Sequence, residues 1–206
     1  TKAAEAMSRY LKEQGYEVRM FNLLDMANSD AWNCLSEIEK DKDLVQSIAE
    51  VVIQSTSNAN ERQDFWEKAE QNLLMALMHY VASQTVPGTK DLLPIQQRSL
   101  GAIYRMLSNE SFADLEKRFQ ELPKDHPALP PYGIFKLANR QIWGNIAIGL
   151  GNRLSVFQNP LVDKITSYNE IDLTLPGKKP CAYFCCISAQ DSSLEFLSSL
   201  FFSQLF

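Results

Sequence analysis

The chain has 206 residues, of which 45% are apolar and 22% charged, with a formal net charge of −5. That length suits one domain or slightly more and can bury a core without disulfides or metals. The acidic balance argues against a dedicated nucleic-acid binder, because counterion release needs clustered Lys and Arg, although a local basic patch stays compatible with it.

Lys2 to Gln14 reads as an amphipathic helix with Ala3, Met7, Tyr10 and Leu11 on one face, and Gly15 as its stop. Tyr16 to Leu23 alternates through Val18 and Met20 into Phe21, as a short strand does. Helix, glycine and strand form the step expected of an α/β sheet. Asn28 to Asp30 is a turn cluster, and from Asp43 the pattern turns helical for more than a hundred residues.

Leu44, Ile48, Val51 and Val52 line one helix. Phe65, Trp66, Ala69, Leu73, Leu77, Tyr80 and Val81 line the next, with Trp66 read as a core anchor in preference to a base-stacking platform. Pro87-Gly88 breaks the chain. A helix over Gln97 to Leu107 follows, carrying Leu100, Ile103, Tyr104 and Leu107. Ser111 opens another with Asp114 placed for a capping box and Leu115 and Phe119 inward.

Pro123, Pro127, Pro130 and Pro131 mark a rigid connection, and one long helix is predicted from Tyr132 to Phe157, ended by Asn159-Pro160. Its Gly144, Gly149 and Gly151 each cost about 1 kcal/mol of helix propensity, which close packing or a kink would justify. Ile171 and Leu173 fit a short extended stretch and Pro176-Gly177 a turn. Ala182 to Ser188 reads as a buried strand, and Ser192 or Ser193 as the cap of a closing helix through Phe206. In that helix Leu194, Leu197, Leu200, Phe201 and Leu205 point inward. The fold class is therefore mainly α: a helical insertion over about 41–165, with pieces of one α/β sheet at 1–40 and 166–206.

Four cysteines stand at Cys34, Cys181, Cys185 and Cys186. Alternation puts Cys185 and Cys186 on opposite strand faces, which suits neither a zinc cage nor a disulfide framework, so they read as reduced and buried. No signal peptide and no run of about 18 apolar residues is present. The chain starts inside a helical pattern without Met and stops on Phe206 without a stop signal. It therefore reads as an internal fragment, expected to be soluble by itself.

No Gly-x-x-x-x-Gly-Lys-Ser/Thr occurs, and Gly177-Lys178-Lys179 sits in a turn before a strand, where it cannot cradle phosphates. Gly149-Leu150-Gly151 is half a dinucleotide fingerprint placed inside a helix. Ser188, Gln190 and Asp191 lie at the carboxyl end of a strand, where α/β sheets collect ligands. Asp191 lies four residues beyond Ile187 and reads better as a helix-start residue than as a magnesium-binding acid.

His79 and His126, the only histidines, stand on different elements, one beside an apolar stripe and one in a surface loop. Neither has a Ser-His-Asp context or metal spacing, so no catalytic residue is assigned. Glu67 and Glu70, flanked by Arg62 and Lys68, read as a solvated charged face. Lys136, Arg140 and Trp143 leave two readings open. They form an exposed face that holds single-stranded DNA by charge and stacking, or a helix packed through Trp143 with its cations in solvent.

Several stretches resemble one family. Asp64-Phe-Trp-Glu-Lys-Ala-Glu-Gln-Asn-Leu-Leu-Met-Ala-Leu resembles the Asp-Pro-Phe-Trp-x-x-Ala-Glu-x-x-Leu-Leu-x-Ala-Leu signature of the VirD4/TraG-like coupling proteins of conjugative type IV secretion, without its proline. Val18-Arg-Met-Phe-Asn-Leu, Tyr132-Gly-Ile-Phe-Lys, Arg153-Leu and Ser167-Tyr-Asn-Glu-Ile-Asp-Leu extend the likeness. So does the run from Leu175 to Ser193, together with the closing Leu-Ser-Ser-Leu-Phe-Phe-Ser-Gln-Leu-Phe.

The resemblance implies an all-α domain inserted into a RecA-like P-loop ATPase between its two Walker motifs, both outside this chain. It implies a parent that uses ATP and Mg to drive DNA transfer at the cytoplasmic face of the bacterial cell membrane, with hexamer neighbours and the secretion channel as partners. The helical domain is then expected to recognise the relaxase or relaxosome. A DNA-gripping role, or an FtsK-like DNA pump, is the alternative. Ser188, Gln190 and Asp191 would face nucleotide or a neighbouring subunit.

Overall fold

The computed structural model describes residues 2–38, 40–57, 65–188 and 193–206. Helix α1 (Lys2–Glu13) ends where Gly15 adopts φ +82°. The Gly15 N–H donates to the Lys12 carbonyl and the Tyr16 N–H to the Leu11 carbonyl, both at 3.0 Å. This double closure is the Schellman stop, and it needs the left-handed residue that glycine supplies without strain.

Strand β1 (Glu17–Asn22) pairs in parallel with β2 (Cys181–Cys186), from Glu17 opposite Cys181 to Asn22 opposite Cys186. All the helices from α2 (Leu44–Ser55) to α8 (Pro160–Ile165) therefore fall within the crossover between two adjacent parallel strands. The far edge of β1 is occupied. Met20 N–H donates to the Asp30 carboxylate at 2.7 Å, Asn22 N–H to Ser29 Oγ at 2.9 Å, and Asp30 N–H returns a bond to the Met20 carbonyl. In β2 only Cys186 is fully buried, so the strand is half-covered where a buried one is predicted, and Ile187 and Ser188 lie beyond it.

Between α2 and α8 come α3 (Phe65–Ala82), α4 (Leu100–Asn109), α5 (Phe112–Gln120), α6 (Leu129–Phe135) and α7 (Trp143–Arg153). Ser99 caps α4 by accepting the Ala102 N–H at 3.2 Å, and Ser111 and Asp114 make the predicted capping box on α5. Arg98 closes the end of α3 by donating to the Ala82 carbonyl at 3.2 Å, a cation on the negative end of the helix dipole.

The single helix predicted over 132–157 is three pieces. Pro130 and Pro131 form the first turn of α6, where a missing N–H costs nothing, so they start a helix and do not serve as a connector. Asn139 then leaves helical geometry and accepts the Gln141 N–H at 3.0 Å. The carbonyl exposed by that break, Ala138, accepts the Trp143 indole N–H at 2.9 Å. A 3₁₀ segment at Ser155–Gln158 follows α7. Asn159 then caps α8 with Pro160 at its first position, a start signal where a stop is predicted. In each case a short polar side chain competes with the helical ladder for backbone N–H groups.

Helix α9 (Glu195–Leu205) begins with Leu194 at its cap, so Ser193 does not cap it, and Ser192 lies outside the described residues. Its Phe201 stacks on Phe21 at 5.3 Å, and Trp32 meets both rings edge-on. One continuous core joins these rings to α2, α3 and α7. The extended stretch predicted at Ile171 and Leu173 is instead an irregular clamp. Glu170 accepts the Ala31 N–H at 2.9 Å, Asn169 the Asn33 N–H at 2.7 Å, and the buried Asn33 amide donates to the Arg98 carbonyl at 3.0 Å. Buried backbone groups need partners, and these polar side chains supply them.

Candidate functional site

Three sequence expectations for α3 change in the structure. Phe65 and Trp66 are exposed and meet edge-to-face at 5.7 Å, so Trp66 is no core anchor. Glu67 and Glu70, predicted on a solvated face, are each only 6% exposed. They share Arg153 from the end of α7, which donates from Nε to Glu70 at 2.6 Å and lies 3.6 Å from Glu67. Arg153 also donates to the Ile53 carbonyl, Thr56 Oγ1 and Ser57 Oγ at the end of α2, all within 3.1 Å. Ser57 Oγ in turn donates to the Glu67 carboxylate.

A guanidinium buried on this many acceptors locks α2, α3 and α7 together. Gly149 belongs to the same joint, since a Cβ there would lie 2.0 Å from Glu70 Oε1. That is the close packing its helix-weakening presence foreshadows, whereas Gly144 and Gly151 face open space.

With α2 and α3 fixed, α6 lies across α3 and leaves an apolar groove of about 1040 Å³ between the three helices. Its floor holds Val45, Met75 and Leu129, and its lip carries Ile134 from α6 and Leu137 from the turn after it, 56% and 82% exposed. The opposite wall is polar: Asp43, Gln46, Ser47 and Glu50 follow the start of α2. Asp43 and Glu50 are seven residues apart, about 10.5 Å along one helical face.

At the groove's end, His79 and His126, distant in sequence, line a shared hollow of about 350 Å³ with Lys42 and Ser83. The His126 Nδ1 accepts the Ala128 N–H at 3.2 Å, which places the ring proton on Nε2, 2.9 Å from Ser83 Oγ. Ser83 Oγ donates to the Tyr80 carbonyl at 2.9 Å. The ring therefore donates to the serine and cannot act as its base, so the pair is not a nucleophile. Burial is the leading cause that pushes both histidines below the ordinary value of 6.5, with Lys42 adding to it in each.

Lys136, Arg140 and Trp143 do not share one helix face, because the break at Asn139 separates them. Lys136 lies 5.5 Å over the Tyr132 ring, and Arg140 pairs with Glu116 at 2.7 Å while lying 5.2 Å from the Trp143 ring. Trp143 is buried, 5.5 Å from both Phe112 and Phe135. This is the packed arrangement of the two readings, with the aromatic unavailable to a base.

Ser188 follows β2 and lines, with Leu23 and Leu194, a hollow of about 20 Å³. Gln190 and Asp191 lie outside the described residues. No group of three or more potential metal ligands occurs among the described residues, and all four cysteines are free. Cys34 and Cys186 are buried as predicted, while Cys181 and Cys185 are only partly covered. Burial raises the Cys34 thiol to about 12 and the Cys185 thiol to about 11. Among the described residues no helix is long and apolar enough to cross a membrane.

The groove, missed by sequence reasoning, had one signal: Ile134 and Leu137 are apolar residues three apart, at the end of a helix and in the turn after it, while that helix already supplies Tyr132 and Phe135 to the core. Comparison with curated protein sequences gives no match. The family model described as type IV secretory system conjugative DNA transfer matches residues 2–206. A mainly helical chain closed by a parallel strand pair and matched over that span is accordingly a member of the VirD4/TraG-type coupling protein family of conjugative DNA transfer.

Proposed function

We propose that the helical stretch over 41–165 recruits the protein component of the transferred cargo, a relaxase or relaxosome protein. The observation that carries this reading is the groove between α2, α3 and α6, whose lip leaves Leu137 82% exposed. Soluble domains seldom leave neighbouring large apolar side chains uncovered without a partner for them. The fitting occupant is an amphipathic helix with apolar residues toward Met75, Ile134 and Leu137 and basic residues toward Asp43 and Glu50.

In the parent this segment would belong to an ATP- and Mg-driven DNA motor at the cytoplasmic face of the bacterial cell membrane, working with hexamer neighbours and the secretion channel. Two observations support that setting. The parallel strands are half-covered, and Met20 and Asn22 on the outer edge of β1 are already bonded, so a RecA-like sheet would continue from β2. The sequence carries no Gly-x-x-x-x-Gly-Lys-Ser/Thr pattern, so a phosphate-cradling loop would be supplied by other parts of the parent.

The test titrates the 206-residue chain with fluorescently labelled relaxase and, separately, with labelled single-stranded DNA at several salt concentrations. Relaxase binding that Leu137→Ser and Ile134→Ser together abolish supports the proposal. Micromolar DNA binding that falls steeply with salt and is lost in Arg140→Ala, with no relaxase binding, overturns it in favour of the DNA-gripping reading.

A further inference from the structure

The end of the groove is built on a bond that exists in one protonation state of one ring. His126 accepts from the Ala128 N–H through Nδ1, and Ala128 occupies the cap position of α6. The same turn is closed by Leu129 N–H on the His126 carbonyl at 3.0 Å and by His126 N–H on the Pro123 carbonyl at 2.9 Å. Pro127 and Leu129, on either side of Ala128, line the groove. The backbone here has few substitutes, because Pro127, Pro130 and Pro131 offer no N–H.

We propose that His126 is a proton-sensitive latch that holds the start of α6, and with it the lip of the groove, in place. A proton added to Nδ1 points at the Ala128 N–H, turns an acceptor into a donor, and breaks that bond. The second ring nitrogen gains nothing from the proton, since Nε2 already donates to Ser83 Oγ. The ring's charged surroundings come from three elements. Lys42, before α2, opposes protonation; His79, on α3, is close enough to feel the His126 charge; Asp125, on the same turn, favours protonation. Burial opposes protonation more than any of these charges, so the latch is closed at neutral pH and opens on acidification.

Linkage fixes the window. The closed ring binds its proton less tightly than an exposed histidine, so closure is fully stabilised above about 6.5 and loses that stabilisation as pH falls through the lowered value. Opening grows by up to about tenfold per pH unit across that interval and levels off below it. The bearing of the latch on cargo docking rests on the groove reading above. The latch itself is measured with no partner present.

The experiment is NMR on the 206-residue chain. Long-range ¹⁵N–¹H correlations of the ring are expected to show the Nε2–H tautomer at pH 7.5. Protection factors of Ala128, Leu129 and Tyr132, corrected for intrinsic exchange, are expected to drop across the His126 titration while those of central α3 hold. In His126→Asn the side-chain oxygen can still accept the Ala128 N–H but cannot titrate, so the pH step should vanish. In His79→Gln it should persist.

An Nδ1–H tautomer at pH 7.5, a step retained in His126→Asn, or a step lost in His79→Gln each overturns the latch. The wild-type tautomer decides even if His126→Asn fails to fold. Failure of the latch leaves relaxase binding at neutral pH untouched, and failure of relaxase binding leaves the ring titration untouched.

Discussion

Replacing Arg153 by Met tests the joint on which the groove depends. The guanidinium side chain is 15% exposed and its partners Glu67 and Glu70 are 8% and 9% exposed, so neither carboxylate finds solvent when the cation is removed. Met fills much of the same volume, which keeps the cavity contribution small. What remains is the cost of leaving buried carboxylates with a lost partner, about 3–5 kcal/mol. For a chain of this size that lowers Tm by about 6–20 °C, at about 2–4 °C per kcal/mol.

The assay is urea unfolding of the 206-residue chain, followed by circular dichroism, with the m-value unchanged. Arg140→Ala is the internal control. Its pair with Glu116 has a cation 70% exposed, and it should cost no more than about 1 kcal/mol. Adding Glu70→Gln to Arg153→Met should recover part of the loss, because one buried charge is gone. A loss under about 1 kcal/mol in Arg153→Met, or strict additivity with Glu70→Gln, would refute the claim that the network behaves as a buried unit.

Gly149→Ala should destabilise measurably by thermal melt, because the new Cβ meets Glu70 Oε1 at 2.0 Å, and the same substitution should cost much less when made in a Glu70→Ala chain. Stability should fall as pH rises from about 9 toward 12, by denaturant titration at fixed pH. Burial lifts Cys34, Tyr132 and Tyr183 to about 12, so the folded chain holds their protons more tightly than the unfolded one, and that stabilisation is lost as pH climbs through the raised values. Cys34 should also resist alkylation at pH 8 until urea unfolds the chain, as mass spectrometry of the labelled peptide would report. Leu137→Ser should leave Tm within about 1 °C, since its side chain is already in solvent, while weakening cargo binding at least tenfold.

Local signals in this chain were decided by residues close in sequence, and those were legible. Gly15 ends α1, and Ser111 with Asp114 starts α5, because capping satisfies backbone groups within one turn. The same competition broke the helix expected over 132–157. Asn139 and Asn159 carry cap signals that a reading by apolar period alone passes over. The family, too, was written in ordered motifs, and the Asn-Glu of one of them proves to be the clamp that holds residues 31–33.

What sequence alone determined was therefore the helical character, the two flanking strands and the family. Tertiary structure decided which polar residues are buried and which apolar ones are not. Glu67 and Glu70 look like any solvated helical pair until Arg153, more than eighty residues away, folds over them. Trp66 looks like a core residue until the packing of the helices leaves it outside, and that packing leaves the apolar Leu137 outside too. Burial is a property of which surfaces meet, and a chain whose parallel strands are joined through a long helical crossover settles that only when the whole crossover has packed.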